Sequence, residues 1–385
     1  EFLRAAALNA ELSRPDTVVA RDFDNSLKAV HYTTAFHPQF NNIVRCLEAA
    51  AEYTGDPAFN AYLKAAAHCF QTSNPNAYQQ MMIRWLEARE YPVQLVMVWD
   101  ETYSDTFLGI KGSVDSALFI ADKELSGIVQ KPVKSWDQFT QSFQLPGNPH
   151  IFSGFYTRVY QTLSLGGALP GMKLRAWNLP DDPTIRQTLG SHQLILKENT
   201  LETLENDLIP MINRIFQLRH TDIPRQEYLN GLLLTLTVHE LGHNLGCYDA
   251  QGNLLELNDT FEELKANIFP LIWVMDQHAR CLMTDREVEA AIAVYLALDL
   301  MDCVLARTVP GRRSYARAAW IQMNRLVEMD AIRVKDGRIH LNLPQMETAN
   351  RKLLDDILLI MSKGHHNAAA MYAKVHGAPI NCLHF

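Results

Sequence analysis

Two histidines and a glutamate stand at the spacing of a metal site: His239-Glu240-Leu241-Gly242-His243 reads H-E-x-x-H. The string lies in an apolar run, Leu232 to Leu245, whose length and texture predict a buried helix. Residues four apart share a helix face, so both imidazoles point the same way. Two neutral imidazoles converging at that spacing can hold zinc. The glutamate after the first histidine can then take a proton from a zinc-bound water. The chemistry expected is hydrolysis by a zinc enzyme, a peptidase first of all.

Catalytic zinc usually has three protein ligands. The stretch Asp259-Thr260-Phe261-Glu262-Glu263-Leu264-Lys265-Ala266-Asn267 follows, and Cys247 to Asn258 before it is polar and contains glycine. That connection is long enough for a second helix to double back on the first. Glu263, twenty residues after His243, is the expected third ligand. The metal set is then His239, His243 and Glu263, with Zn2+ as cofactor. Zinc brings the pKa of a bound water toward about 7 and polarises a carbonyl. Glu240 is the expected base, passing the proton on to the leaving nitrogen. Glu262 and Asn267 are the nearest groups to accept the remaining imidazole N–H bonds. The plain alternative is that Asp259 and Glu262 form a capping box and Glu263 favours a helix N-terminus. Cys247 and the pair His365-His366 are weaker metal candidates, a solvated helix start explaining the latter.

The elements that must position these groups can be read from periodicity. Asn41 to Tyr53, Pro57 to Phe70 and Asn76 to Arg89 repeat at helical spacing. Pro92 to Trp99 reads as a strand, and Ser116 to Ala121, Lys173 to Leu179 and Gln193 to Lys197 also look extended. Leu145 to Gly171, rich in Pro and Gly, reads as mixed loop and short helix. Helices are expected at Pro224 to Leu245, Thr260 to Met275, Asp285 to Ala306, Arg313 to Met329, Gln345 to Met361 and His366 to Val375. Asp222 is expected to cap the histidine helix and Gly246 to end it. Ile332 to Leu341 alternates and turns at Asp336-Gly337, a hairpin signature. The expected fold is mainly α with a small β element. Three regions are expected: helical 1–91, a mixed α/β region 92–223 forming part of a cleft, and a helical zinc-binding region 224–385.

Composition narrows the class. The chain has 385 residues, 48% hydrophobic and 20% charged, which suits a globular protein of two lobes. A net charge of −8 gives no basic footprint for nucleic acid or anionic membrane. No uninterrupted apolar run reaches the roughly 18 residues of a membrane span. No signal-peptide pattern opens the chain, and the six cysteines contain no C-x-x-C pair. Reduced thiols and a cytoplasmic location are expected.

Four blocks, in order, resemble the dipeptidyl peptidase III family of zinc metallopeptidases. The first is Glu101-Thr102-Tyr103-Ser104-Asp105 with Gly109-Ile110-Lys111-Gly112-Ser113, similar to E-S/T-Y-x-D and its continuation. The second is Asn178-Leu179-Pro180-Asp181 with Ile185-Arg186-Gln187-Thr188-Leu189-Gly190, similar to N-[IL]-P-N. The histidine helix is the third. The fourth is Glu262 to Asn267, similar to E-E-x-[RK]-A-[ED], whose second glutamate binds zinc in the family. The resemblance implies a two-lobed zinc hydrolase. It implies that Glu101 holds the free amino terminus of a substrate, that Tyr103 hydrogen-bonds the developing oxyanion, and that Asn178 grips the substrate backbone beside Asp181. The chain also departs from the pattern. The family's usual motif is the hexapeptide H-E-x-x-G-H, its second asparagine is Asp181 here, and its acidic residue is Asn267. A family histidine corresponds to Trp320. The region before Val96 is short for the lower-lobe barrel, so most of that barrel is expected to be missing, and the chain stops at Phe385 before the family's basic residues. These departures touch dipeptide-releasing specificity and leave the metal chemistry intact.

Three readings follow: a zinc peptidase, a zinc enzyme acting on a small non-peptide substrate by hydrolysis, elimination or isomerisation, and a scaffold with a structural zinc. Glu240 argues against the last, since a structural site has no use for a base. The expected partner is a peptide or small-molecule substrate, with no nucleic acid and no membrane.

Overall fold

The structure is a computed structural model that describes residues 1–99, 102, 105, 108–150, 154–172, 174–180, 182–309 and 312–380. The chain forms two compact units: Glu1–Lys123 with Arg158–Asn199, and Glu124–Thr157 with Thr200–Phe385.

In the first unit, three helices run His37–Tyr53, Pro57–Gln71 and Pro75–Glu87. Their starts follow local chemistry. Asp56 Oδ1 accepts the N–H of Phe59 at 2.8 Å, and Asn74 Oδ1 accepts that of Asn76 at 3.0 Å. A proline follows each cap, where its missing N–H costs nothing. A hairpin of β1 (Thr17–Arg21) and β2 (Leu27–His31) precedes them. The main sheet has β3 (Val93–Val98), β4 (Asp115–Ala121), β5 (Tyr156–Gly166), β6 (Ala176–Leu179) and β7 (His192–Leu196) in the order β3-β4-β5-β7-β6. All five residues of β7 are buried, as suits an interior strand. Trp85, Phe119, Tyr160 and Leu194 anchor the core between sheet and helices.

The second unit is mostly helical. The histidine helix, Arg225–His243, and the glutamate helix, Asn258–Ala279, pack against one another. Further helices run Asp285–Leu305, Arg313–Glu328, Leu343–Lys363 and His366–His376. The glutamate helix contacts the first three of these as well as the histidine helix, and it is buried from Leu264 to Met275 without a break. A helix apolar all round its circumference has to lie inside. A small sheet of β8 (Phe216–Gln217), β9 (Ile332–Lys335) and β10 (Arg338–Leu341) lies in the same unit. Its hairpin turns at Asp336 and Gly337, both at positive φ, as the Asp-Gly pair predicts.

The mainly helical fold with its minor β content is the one expected, and the differences are local. Leu145 to Gly171 contains an eleven-residue strand, β5, where loop and short helix were expected. Its Thr157, Val159 and Tyr160 are fully buried, but the prolines and glycines on both sides hide so short a run from a window-based reading. A helix at Lys123–Thr140, with Pro132 inside it, lies where no element was expected. The N-cap of the histidine helix is Pro224, with no side-chain capping bond, so Asp222 does not cap it. Gly246 does take the left-handed conformation past its end, at φ +70°.

Close approach governs how the histidine helix sits. A Cβ on Gly231 would lie 2.6 Å from Ala291 Cα, in the helix Asp285–Leu305. One on Gly242 would lie 2.7 Å from the Phe269 ring and 3.3 Å from Ala266 Cα, in the glutamate helix. Backbone therefore meets backbone on two sides. Gly231→Val is expected to lose about 1–3 kcal/mol by overpacking in urea unfolding. Gly127→Ala, at an exposed helical position with open space around it, should gain about 0.5–1 kcal/mol. Equal stability of the Gly231 variant and wild type would show the contact to be slack.

Candidate metal centre

The geometry starts from the two imidazoles. His239 Nε2 and His243 Nε2 lie 3.1 Å apart, and Glu263 Oε2 lies 3.4 Å from the first and 3.9 Å from the second. Among the described residues these three form the group able to hold a metal ion. Tetrahedral coordination with bonds of about 2.0–2.1 Å places neighbouring donors roughly 3.3 Å apart, so the spacing fits zinc.

The outer nitrogens decide what the inner ones offer. His243 Nδ1 lies 3.1 Å from Glu262 Oε1, which only accepts while ionised. Nδ1 therefore carries the proton, and Nε2 presents a lone pair. His239 Nδ1 lies 3.0 Å from the Tyr295 hydroxyl, which in turn donates to Asn267 Oδ1 at 3.1 Å. Since the Tyr295 proton is committed to Asn267, His239 donates from Nδ1 and also turns a lone pair inward. Glu263 Oε2 is buried and faces both rings. Three electron-rich atoms thus face one another across contact distances, an arrangement that requires a positive charge among them. The residues present fit a divalent metal.

In the absence of an ion that charge is a proton. Burial works against a charged His239, but the hydrogen bond and charge of Glu263 override it and push the pKa up to about 9. Burial would raise Glu263 too, yet the His243 and His239 rings keep it ionised below its usual range. Partial burial acts on Glu262 in the same direction, and Lys265 with His243 holds it down to about 2. Lys265 is wholly buried, 2.8 Å from Glu262 Oε1. Glu262 is occupied by His243 and Lys265, while the helix start at Leu257 has no side-chain cap, so no capping box forms there.

Glu240 follows His239 on the histidine helix, and its charge acts on His239, Tyr295 and Tyr315. Tyr315 is carried on Arg313–Glu328, hydrogen-bonded to Glu263, with the Arg312 guanidinium over its ring at 5.0 Å. Asp299 and Asp302 lie buried on the helix that bears Tyr295. Burial, and then Asp302, push the Asp299 carboxyl well above the usual carboxylate range. Cys247 Sγ donates to the His243 carbonyl at 3.0 Å, and His366 pairs with Glu256 at 3.0 Å.

Of the expected substrate residues, Asn178 belongs to the first unit. Glu101, Tyr103 and Asp181 lie outside the described residues. Asn178 sits half-buried on β6, opposite Gln193 of β7. Beside the first block, the Asp105 carboxylate accepts the N–H groups of Leu108, Ile110 and Lys111 and so folds the glycine-bearing continuation around itself. Asn267 reaches His239 through Tyr295. Tyr295, Tyr315 and Lys265 were not singled out in the sequence. A buried tyrosine in an apolar helix carries no signal of its own, whereas the two acids in Tyr295-Leu296-Ala297-Leu298-Asp299-Leu300-Met301-Asp302 break an apolar run and could have marked that helix.

Comparison with known proteins bears on the family and the fold. Residues 3–246 match Peptidase family M49, a stretch that ends just past His243. Nudix hydrolase 3 of Arabidopsis thaliana is 23% identical over 369 residues, which are 91% of this chain and 46% of that protein. The chain thus spans less than half the length of this curated relative. Dipeptidyl peptidase III from Caldithrix abyssi has a TM-score of 0.83 at 19% identity, covering 99% of this chain and 74% of that one. The enzyme from Corallococcus sp. strain EGB has a TM-score of 0.76 at 18% identity, covering 99% and 73%. These structures share the fold. No described helix is long and apolar enough to cross a membrane. With the family matched over more than half its residues and the fold over nearly all of them, this chain belongs to peptidase family M49, the family of dipeptidyl peptidase III.

Proposed function

We propose that the chain is a zinc-dependent metallopeptidase that cleaves near the amino terminus of short peptides. The observation that carries this is the convergence of His239 Nε2, His243 Nε2 and Glu263 Oε2, with both Nδ1 atoms already committed to other partners. When bound, zinc supplies Lewis acidity that polarises a carbonyl and eases the deprotonation of water. The rest falls to the protein. His239, His243 and Glu263 would hold the ion, with Tyr295 and Glu262 fixing the rings. Glu240 would accept the proton of the attacking water and return it to the leaving nitrogen. Tyr103 would donate a hydrogen bond to the developing oxyanion. Glu101 would bind the free ammonium of the peptide, and Asn178 and Asp181 its backbone; these four roles rest on the family motifs.

Glu240→Gln should keep the metal and lower kcat on dipeptidyl amides by about 10²–10⁴-fold. Full metal occupancy with no cleavage of any dipeptidyl or aminoacyl amide by wild type would shift the reading to a non-peptide substrate. Acetylating the amino terminus of a peptide should raise KM steeply, and equal cleavage of blocked and free peptides would remove Glu101 from its role. Metal entry must also displace the proton that His239 holds below about pH 9. Calorimetric titration of the metal-free protein at pH 7 in buffers of different ionisation enthalpy should therefore show proton release. Apparent affinity should fall as pH drops below about 9, and a pH-independent affinity between 7 and 9 would contradict the assignment.

A further inference from the structure

We infer that Lys265 is a positioning residue for His243, one buried ammonium that fixes both the backbone and, through Glu262, the ring of that ligand. The inference rests on the metal reading of His239, His243 and Glu263. Lys265 is fully buried on the glutamate helix. An ammonium has three N–H donors, and three acceptors surround this one: Glu262 Oε1 at 2.8 Å, the His243 carbonyl at 3.4 Å and Cys247 Sγ at 3.7 Å. Two of these converge on one residue. His243 is the last residue of its helix, so its carbonyl has no backbone N–H one turn on and accepts from Cys247 Sγ at 3.0 Å and from Lys265, and a cation there also meets the negative end of the helix dipole. Glu262 Oε1, meanwhile, accepts from His243 Nδ1 at 3.1 Å. Gln251 Nε2 approaches the other carboxylate oxygen at 3.4 Å.

A lysine that served only as an i,i+3 partner on a helix would lie at the surface, where such a pair costs little. Burying an ammonium is expensive unless its position is used. Here the carbonyl end and the imidazole end of His243 are tied to the same nitrogen. The ring cannot turn about its Cα–Cβ bond without breaking the Glu262 contact. The helix terminus cannot fray without breaking the Lys265 contact.

The test uses the full chain stripped of metal. Zinc affinity is measured against a chromogenic chelator, and the visible spectrum of the Co2+-substituted protein reports ligand geometry. Lys265→Met is expected to weaken zinc binding by about 10–100-fold and to alter the cobalt bands. The double variant Lys265→Met with Glu262→Gln removes both charges together and leaves no orphan behind. It guards against simple unfolding, and it should show the same loss. Wild-type zinc affinity and an unchanged cobalt spectrum in either variant would overturn the inference, even with a lowered Tm, because a packing role alone predicts that result. A wild-type chain that takes up neither metal overturns the metal reading and this inference with it.

Discussion

Three donor atoms are held 3.1 to 3.9 Å from one another, and without a cation or a proton among them they would repel. His239 Nε2, His243 Nε2 and Glu263 Oε2 have no reason to converge unless something positive lies among them. Holding them there takes force from elsewhere, and the second unit is organised to supply it. The histidine helix is packed backbone to backbone against two neighbours through Gly231 and Gly242. A wider side chain at either point would move both histidines together. Their Nδ1 atoms are pinned from outside, one by Tyr295 and one by Glu262, so neither ring can rotate to relieve the repulsion.

The glutamate helix does most of this work. It contributes the third donor, Glu263, the residue that orients His243, Glu262, and the anchor for Tyr295, Asn267. It can do so because it is buried along most of its length and touches four other helices. Polar groups inside such a helix are costly, and three at its centre are matched: Lys265 with Glu262, Asn267 with Tyr295, and the Asn267 carbonyl with Gln322 at 3.1 Å.

Much of this was legible in the residues. The i,i+4 histidine spacing follows from helix geometry alone, and a glutamate twenty residues on fits a helix doubling back. The long helices of the second unit show their period because each buries a broad stripe, and Asp-Gly marked the one hairpin there. What escaped was set by tertiary contact. β5 is a strand because β4 and β7 flank it, while its own sequence is bracketed by prolines and glycines. Tyr295 orients His239 because its helix happens to pass there, and no local pattern distinguishes it from a core tyrosine. Asn267 was expected to face a histidine directly, and the interposed Tyr295 could not be inferred from spacing.

Charge explains why so many acids surround so small a site. Glu262 is ionised, but the Lys265 ammonium beside it cancels its charge. Burial and the neighbouring Asp302 push the Asp299 carboxyl above the usual carboxylate range, which favours its neutral form. Glu263 brings its negative charge directly to the donors. Two neutral imidazoles and one carboxylate against a divalent cation leave a net positive centre. Were Glu262 unpaired or Asp299 ionised, the centre would hold a cation more firmly but would polarise a carbonyl less. On the proposed reading, pairing Glu262 with Lys265 preserves the electrophilicity that Glu240 needs beside it, so a carboxylate can orient His243 without quenching the metal.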